Sequence, residues 1–303
     1  MKYTEPTYDT KSAFVAIVGR PNVGKSSLLN SMVGEKVAIV SNKPQTTRNR
    51  ITGVLTKDST QFVFIDTPGL HKPRTKLSEY MVKQVTDSVA DVDVAVLVTE
   101  PTGEITKAEM DLIESFKSMR LPAILAINKI DTLSRKELMM PKMQAFSQQF
   151  EFEALIPISA LTGYGVETIL DELDKFASSS PFFFEEDTLT DQPERVIVAE
   201  IVREKLLRNM RDEIPHGTAV SVESMKEREN SDIIDIEVQI YCEKDSHKGM
   251  IIGKGGAMLK KVASQAREDM ESFLGCKVNL QCWVKVREDW RNRENILKSF
   301  GYN

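Results

Sequence analysis

The sequence predicts an α/β unit, with a mainly parallel sheet and helices on both of its faces, followed by a smaller α+β unit. Three observations predict it. Through the first half, short apolar runs alternate with amphipathic stretches of helical spacing. A glycine-rich turn joins the first run to the first helical stretch. After residue 194 the alternation gives way to the order helix, strand, strand, helix, helix, strand.

The expected strands of the first unit are Phe14–Val18, Gln61–Ile65, Val92–Val98, Ala123–Ile127 and Leu155–Ile158. The helices between them are Lys25–Val33, Leu77–Ala90, Lys107–Met119, Pro141–Gln149 and Val166–Ala177. Ser178 to Pro181 stops the last helix, so the expected boundaries are 1–180 for the first domain, 181–194 for an acidic linker and 195–303 for the second domain. The aromatic run Phe182–Phe184 is too apolar for a free tether and should dock on one of the domains. In the second unit the expectation is a helix over Val198–Met210, strands over Ala219–Met225 and Ile233–Tyr241, a helical stretch, a glycine turn, a helix over Ala257–Phe273 and a strand over Val278–Val286.

At 303 residues, 41% hydrophobic and 28% charged, the chain has the composition of a two-domain globular protein. No apolar stretch is long enough to cross a membrane, and Met1 to Lys11 lacks the pattern of a secretory signal. The net charge of −5 argues against wholesale nucleic-acid binding. From Arg195 onward, however, 19 Lys and Arg face 18 Asp and Glu, against 21 and 27 before it. RNA contact would therefore rest on a local patch rather than a basic arm. Cys242, Cys276 and Cys282 form no CxxC pair, and the three histidines, His71, His216 and His247, lie far apart in sequence, which argues against a metal site. The cysteines read as buried reduced thiols.

Gly19-Arg20-Pro21-Asn22-Val23-Gly24-Lys25-Ser26, followed by Ser27, fits GxxxxGK[ST] between a strand and a helix. Its backbone N–H groups would cradle phosphates, Lys25 would reach the β- and γ-phosphates, and the Ser26 hydroxyl would bind magnesium. Asp66-Thr67-Pro68-Gly69 ends another strand, with Asp66 placed to hold the metal through water and the Gly69 N–H to sense the γ-phosphate. Asn128-Lys129-Ile130-Asp131 turns a general nucleotide site into a guanine site. A buried Asp131 carboxylate would accept both N–H groups of the guanine edge, a donor pair adenine lacks. Asn128 would hold the neighbouring edge, the Lys129 stem would cover the base, and Ser159-Ala160 would offer a backbone N–H to guanine O6. Gln45-Thr46-Thr47-Arg48 supplies hydroxyls from a loop for the magnesium shell.

Leu70 follows the Gly69 position, where Ras-type enzymes carry the glutamine that orients water. Hydrolysis should therefore be slow without help. Asn22 occupies a position that binds potassium in a subset of bacterial GTPases, so the expectation is potassium-stimulated hydrolysis.

Ile251-Ile252-Gly253-Lys254-Gly255-Gly256 lies between two helical stretches and matches the GxxG of KH domains, which clamps about four single-stranded nucleotides. Lys244, Lys248, Lys254, Lys260 and Lys261 surround it in sequence. Trp283 and Trp290 read as packing residues, with Trp283 assigned to the open face of a half-buried strand.

Taken together, Gly19–Ser26, Gln45–Arg48, Asp66–His71, Asn128–Asp131 and the Gly253–Gly256 turn resemble the bacterial Era family, as do Arg203–Gly217 and Lys285–Trp290. The resemblance runs from about Phe14 to the C-terminus, and Leu70 is itself a family trait. It favours Thr47 over Thr46 as the metal ligand. It also implies a P-loop GTPase domain followed by a type-2 KH domain, using GTP or GDP with Mg2+. By the same resemblance the chain is a cytoplasmic monomer, peripheral on the inner membrane, that binds the 3′ end of 16S ribosomal RNA and the 30S subunit during small-subunit maturation.

Overall fold

A computed structural model of the chain describes residues 8–43, 45–69, 75–211 and 213–302. These fall into two compact units. The first takes in described residues within 1–38, 47–72 and 81–191, and the second those within 39–46, 73–80 and 192–303.

The sheet of the first unit has the order β2-β3-β1-β4-β5-β6: Ile51–Lys57 (β2), Thr60–Asp66 (β3), Lys11–Gly19 (β1), Val94–Thr99 (β4), Ala123–Ile127 (β5) and Ala154–Pro157 (β6). All pairs are parallel except β2–β3, a hairpin whose turn is Asp58-Ser59. The sequence reading lacked β2. Gly53, the third residue of that strand, lets Leu29 of α1 (Lys25–Val33) pack directly on it, since a Cβ there would sit 2.5 Å from Leu29 Cδ1. A two-residue strand, Ser178–Ser179 (β7), pairs antiparallel with Lys11 and Ser12.

Period-two alternation in β1 sends Val15 and Ile17 to one face and Ala16 and Val18 to the other. On the first face lie α1 and α5 (Val166–Asp174). The second face is covered by α2 (Lys76–Ala90), α3 (Lys107–Met119) and α4 (Met140–Ser147). The core strands are fully buried, as expected for a parallel sheet covered on both sides. α5 stops three residues earlier than expected because Ser178 and Ser179 are drawn into the sheet. The Phe182–Phe184 run docks on the first unit: Phe183 meets Phe14 edge-on at 4.9 Å, and the Phe183 and Phe184 N–H groups donate to Gln61 Oε1.

The second unit follows the expected order: α6 (Glu194–Asn209), β8 (Ala219–Glu227), β9 (Ile233–Cys242), α7 (Asp245–Ile252), α8 (Ala257–Leu274) and β10 (Lys277–Val286), then a short α9 (Glu294–Ser299). The sheet order is β10-β9-β8, with β10 parallel and β8 antiparallel to β9. The three helices α6, α7 and α8 share its apolar face, around Ile236, Val238, Ile240, Val262 and Met270. Trp290 packs as expected, fully buried, with its Nε1 donating to Gly217 O at 2.9 Å. Trp283 is 47% exposed. All three cysteines are free, but only Cys242 is fully buried; Cys276 and Cys282 are half-buried, and burial pushes the Cys282 thiol up to about 12.

Segment 39–46 also belongs to the second unit. Glu204, fully buried, accepts the Val40 N–H at 2.9 Å, and Arg208 donates to Val40 O at 3.0 Å. Arg203, also buried, donates to Gln45 O at 3.4 Å and to Thr46 O, and is held by Glu200. The sequence offered one sign of this arrangement, the charged triplet Arg203-Glu204-Lys205 set among apolar helix positions.

Candidate guanine-nucleotide site and KH turn

The loops after β1, β3, β5 and β6 all leave the carboxyl edge of the first sheet, where α/β sheets bind ligands. β1 runs into the Gly19–Ser26 loop. Helix α1 begins at Gly24, which offers no side-chain cap, so the first-turn N–H groups face the loop. The Lys25 Nζ donates to Gly19 O at 3.2 Å and Arg20 O at 3.0 Å. Burial pulls its pKa down to about 8, with Asp66 opposing. It is still protonated at neutral pH.

Ser26, Thr47 and Asp66 meet. The Ser26 hydroxyl donates to Asp66 Oδ2 at 2.6 Å and lies 2.8 Å from Thr47 Oγ1, which is 3.5 Å from the same carboxylate oxygen. Thr46 turns away, its hydroxyl bonding Lys43 O at 2.6 Å and Ser41 Oγ at 2.9 Å. The other Asp66 oxygen, Oδ1, is buried and has no partner among the described residues. Two hydroxyls and a carboxylate with an unused oxygen make a hard, all-oxygen donor set that fits Mg2+. Burial drives Asp66 up to about 6, against the opposing pull of Lys25 and its hydroxyl partners.

Two contacts fix the loops by close approach. A Cβ on Gly24, whose φ is +100°, would meet Asn128 Nδ2 at 2.2 Å. One on Gly69 would sit 2.6 Å from the Pro21 backbone, so the Asp66–Gly69 segment lies directly on the phosphate loop. Thr67, fully buried, anchors that segment by donating to Ile17 O at 2.9 Å, and Pro68 is buried beside it. Leu70 lies outside the described residues.

Asn128, 2% exposed, donates from Nδ2 to Val23 O at 2.8 Å and accepts the Ala160 N–H on Oδ1 at 2.9 Å. Lys129 has φ +65° and reaches Asn22 O at 2.6 Å and Glu100 at 2.7 Å. Ile130 serves the core rather than the site, 7% exposed within the second-face cluster. Asp131 departs from expectation: it is exposed, not buried, with its carboxylate held by Ser159 Oγ at 2.6 Å. The backbone donors expected for guanine O6 are also engaged in this structure, Ser159 N with Tyr164 O at 2.9 Å and Ala160 N with Asn128 Oδ1. Asp131 is exposed because it leaves β5 on a tight turn just past that strand's buried end. Asn22 is exposed with φ +65°, and Ser27 is half-buried in the first turn of α1.

Sequence reasoning also passed over the charges that brace the phosphate loop. Arg20 reaches Glu100 and Glu109, both at 3.4 Å. Glu109 is fully buried, closes the capping box of α3 with Thr106, and accepts from Thr99 at 2.7 Å. Burial opposes its ionisation, but hydrogen bonds from Thr106 and Thr99 and the Lys142 charge prevail and hold its carboxyl below the usual range. The Thr-x-x-Glu pattern at 106–109 was a readable signal for the cap, though not for the Arg20 contact.

In the second unit, Gly253, Gly255 and Gly256 all have positive φ, at +74°, +58° and +80°, in the tight turn between α7 and α8. Lys254 is exposed within the turn; Lys244, Lys260 and Lys261 are also exposed and Lys248 is half-buried.

Four nucleotide-type loops on a P-loop fold, in one chain with a glycine turn between two helices of an α+β unit, define a P-loop GTPase with a KH domain. A family model described as a 50S ribosome-binding GTPase matches residues 14–129, and a KH-domain model matches residues 213–291. The GTPase Era of Alkaliphilus metalliredigens (strain QYMF) is 51% identical over 292 residues, covering 96% of this chain and 99% of that protein. That of Clostridioides difficile (strain 630) is 48% identical over 293 residues, covering 97% and 99%. Two solved structures are similar over the full fold, each with a TM-score of 0.93 at 36% identity, covering 97% of this chain and 99% of the other. They are Era in complex with MgGDPNP and nucleotides 1506–1542 of 16S ribosomal RNA, and a point variant of Aquifex aeolicus Era bound to GDP·AlF4−. The chain belongs to the GTPase Era family. No helix among the described residues is long and apolar enough to cross a membrane.

The raised pKa of Asp66 has a definite sign. Its protonated form favours the fold, so that contribution is present below the ordinary 3.8 and is lost as pH rises through about 6. Ionised Asp66 thus costs the nucleotide-free fold about 3 kcal/mol at neutral pH. Asp66→Asn is expected to raise the urea midpoint of the nucleotide-free protein at pH 7.5 and leave it unchanged at pH 4. Equal midpoint shifts at the two pH values would contradict this.

Proposed function

We propose that the chain is a slow GTP-hydrolysing timer that grips the 3′ region of 16S ribosomal RNA during assembly of the 30S subunit, acting as a cytoplasmic monomer. One observation carries the reading: the nucleotide loops and the lysine-ringed GKGG turn stand in one chain whose fold matches, at a TM-score of 0.93, an Era bound to both a GTP analogue and that RNA. The description of the GTPase family model names the large subunit. The small-subunit reading rests instead on the KH unit and the RNA-bound relative.

In this reading, phosphate oxygens replace Gly19 O and Arg20 O as acceptors for Lys25, and the loop N–H groups of Asn22 to Ser27 surround the phosphates. Ser26, Thr47 and Asp66 hold Mg2+, with Asp66 acting through water. When bound, the metal draws negative charge off the transferred phosphoryl oxygens. Gly69 presents its N–H to the γ-phosphate. Asp131 accepts the paired guanine N–H groups, while Asn128 holds the loops that frame the base and Lys129 lies along it. The donor to guanine O6 is Ala160 N–H, shared with Asn128 Oδ1. Lys248, Lys254, Lys260 and Lys261 take the RNA phosphates, and Gly253, Gly255 and Gly256 let them approach the main chain.

The water-orienting glutamine is replaced by Leu70, so the chain needs another source of transition-state charge. We assign that part to potassium bound at Asn22. Hydrolysis should run severalfold faster in potassium than in sodium at equal ionic strength; equal rates would rule potassium out.

A timer also requires the two nucleotide states to differ in RNA affinity. Binding of the 1506–1542 RNA should be tighter with a non-hydrolysable GTP analogue than with GDP, and identical affinities would leave an RNA binder with a structural nucleotide. Lys254→Asp should weaken RNA binding about tenfold and reduce its salt slope by about one, while GDP affinity stays as it is. Unchanged RNA affinity would show that the GKGG turn is not the clamp.

A further inference from the structure

The outer face of the second sheet carries an aromatic residue and a buried amide that neither the GKGG turn nor the nucleotide loops use. In β10 and β9, Val278, Val284, Ile236, Val238 and Ile240 all face the helices. Residues between them therefore project to the opposite face. Trp283 is one of these, nearly half exposed on the edge strand of the sheet. Directly across the rung stands Gln239, between Val238 and Ile240 and only 4% exposed. Its Nε2 has no hydrogen-bond partner among the described residues.

An amide buried without a partner is costly, and an exposed indole forgoes the gain of burial. Here the two occur on the same rung and the same face. Two residues further along, on that same face, Tyr241 is covered by Phe300, with ring centroids 4.6 Å apart, and its rung partner Lys285 is exposed. Gln281 is exposed on the other side of Trp283. The helices that flank the GKGG turn, α7 and α8, pack on the inner side of this same strand. Because β10 is the edge strand of its sheet, only that one strand separates the helices that flank the turn from the face that carries Trp283.

We propose that Trp283 and Gln239 form a stacking site for one base of single-stranded RNA, distinct from the GKGG clamp. The base lies on the indole, the Gln239 Nε2 donates to a carbonyl oxygen or ring nitrogen on its edge, and Lys285 meets the adjoining phosphate. Stacking supplies affinity for any base, and the amide supplies the preference. The proposal rests on the RNA-binding reading above.

The chain has two tryptophans, and the buried one is shielded from small quenchers, so acrylamide quenching reports Trp283. Adding the 1506–1542 RNA to the full chain should protect Trp283 from acrylamide. Trp283→Ala should weaken binding of that RNA about tenfold without moving the denaturation midpoint, and Trp283→Phe should retain most of the affinity. Gln239→Leu should keep the fold and flatten the base preference at one RNA position, read by binding RNAs varied one base at a time. If the RNA binds but quenching and Trp283→Ala affinity are both unchanged, the stacking site is wrong and the clamp reading stands. If the unaltered chain does not bind the RNA at all, both readings fall.

Discussion

The carboxamide of Asn128 holds three loops at once, giving a hydrogen bond to Val23 in the phosphate loop and taking one from Ala160 after β6, while its own backbone continues β5. Its amide also occupies the space a side chain on Gly24 would need. The glycine at the start of α1, the asparagine at the end of β5 and the small residue after β6 are therefore one packing solution rather than three separate motifs. Without that carboxamide, Val23 O and Ala160 N would both be buried without partners, each at a cost of about 1–3 kcal/mol. The position of Asp131 follows from the same residue, since it hangs from the turn that Asn128 anchors.

Beneath these loops sits a strained pair of charges. Burial pushes Lys25 and Asp66 toward neutrality from opposite directions, each moderated by the other. Their neighbours satisfy the ammonium but only half of the carboxylate. A triphosphate with a divalent cation supplies what each lacks, anionic oxygens for one and a cation for the other. The site thus gives up stability in the free protein in favour of affinity, as functional sites commonly do.

Much of this was legible in the sequence, for identifiable reasons. Helices α1 and α3 and strand β5 fall on the expected residues because period and end signals agree there: a glycine or threonine at the start, and a buried apolar run. Strand β2 was not legible, because Gly53 serves a contact with Leu29 that only the folded sheet brings about. The exposure of Asp131 was missed because motif spacing specifies a residue's place along the chain and says nothing of how far its turn lifts it from the core. Arg203 and Glu204 stand out in the sequence only as charges among apolar helix positions, and what they hold is hidden because their partners at residues 40–46 are backbone groups. Trp283 illustrates the reverse case. Alternation placed it on the open face, where it is nearly half exposed, although a packing role was read for both tryptophans.

The short strand β7 returns to the start of β1, with Ser179 opposite Lys11 and Ser178 opposite Ser12. The two strands meet at the end of β1 remote from its phosphate loop, and the unit then runs on to residue 191, with Leu189 O accepting the Val54 N–H and the Thr190 hydroxyl donating to Thr52 O in β2. The first unit is nonetheless discontinuous in sequence, because residues 39–46 and 73–80 count with the second unit. Cutting the chain at the linker alone would therefore strip Val40 and Thr46 of the Glu204 and Arg203 side chains that satisfy them, so the nucleotide-hydrolysing half cannot be moved to a new companion as a simple cassette.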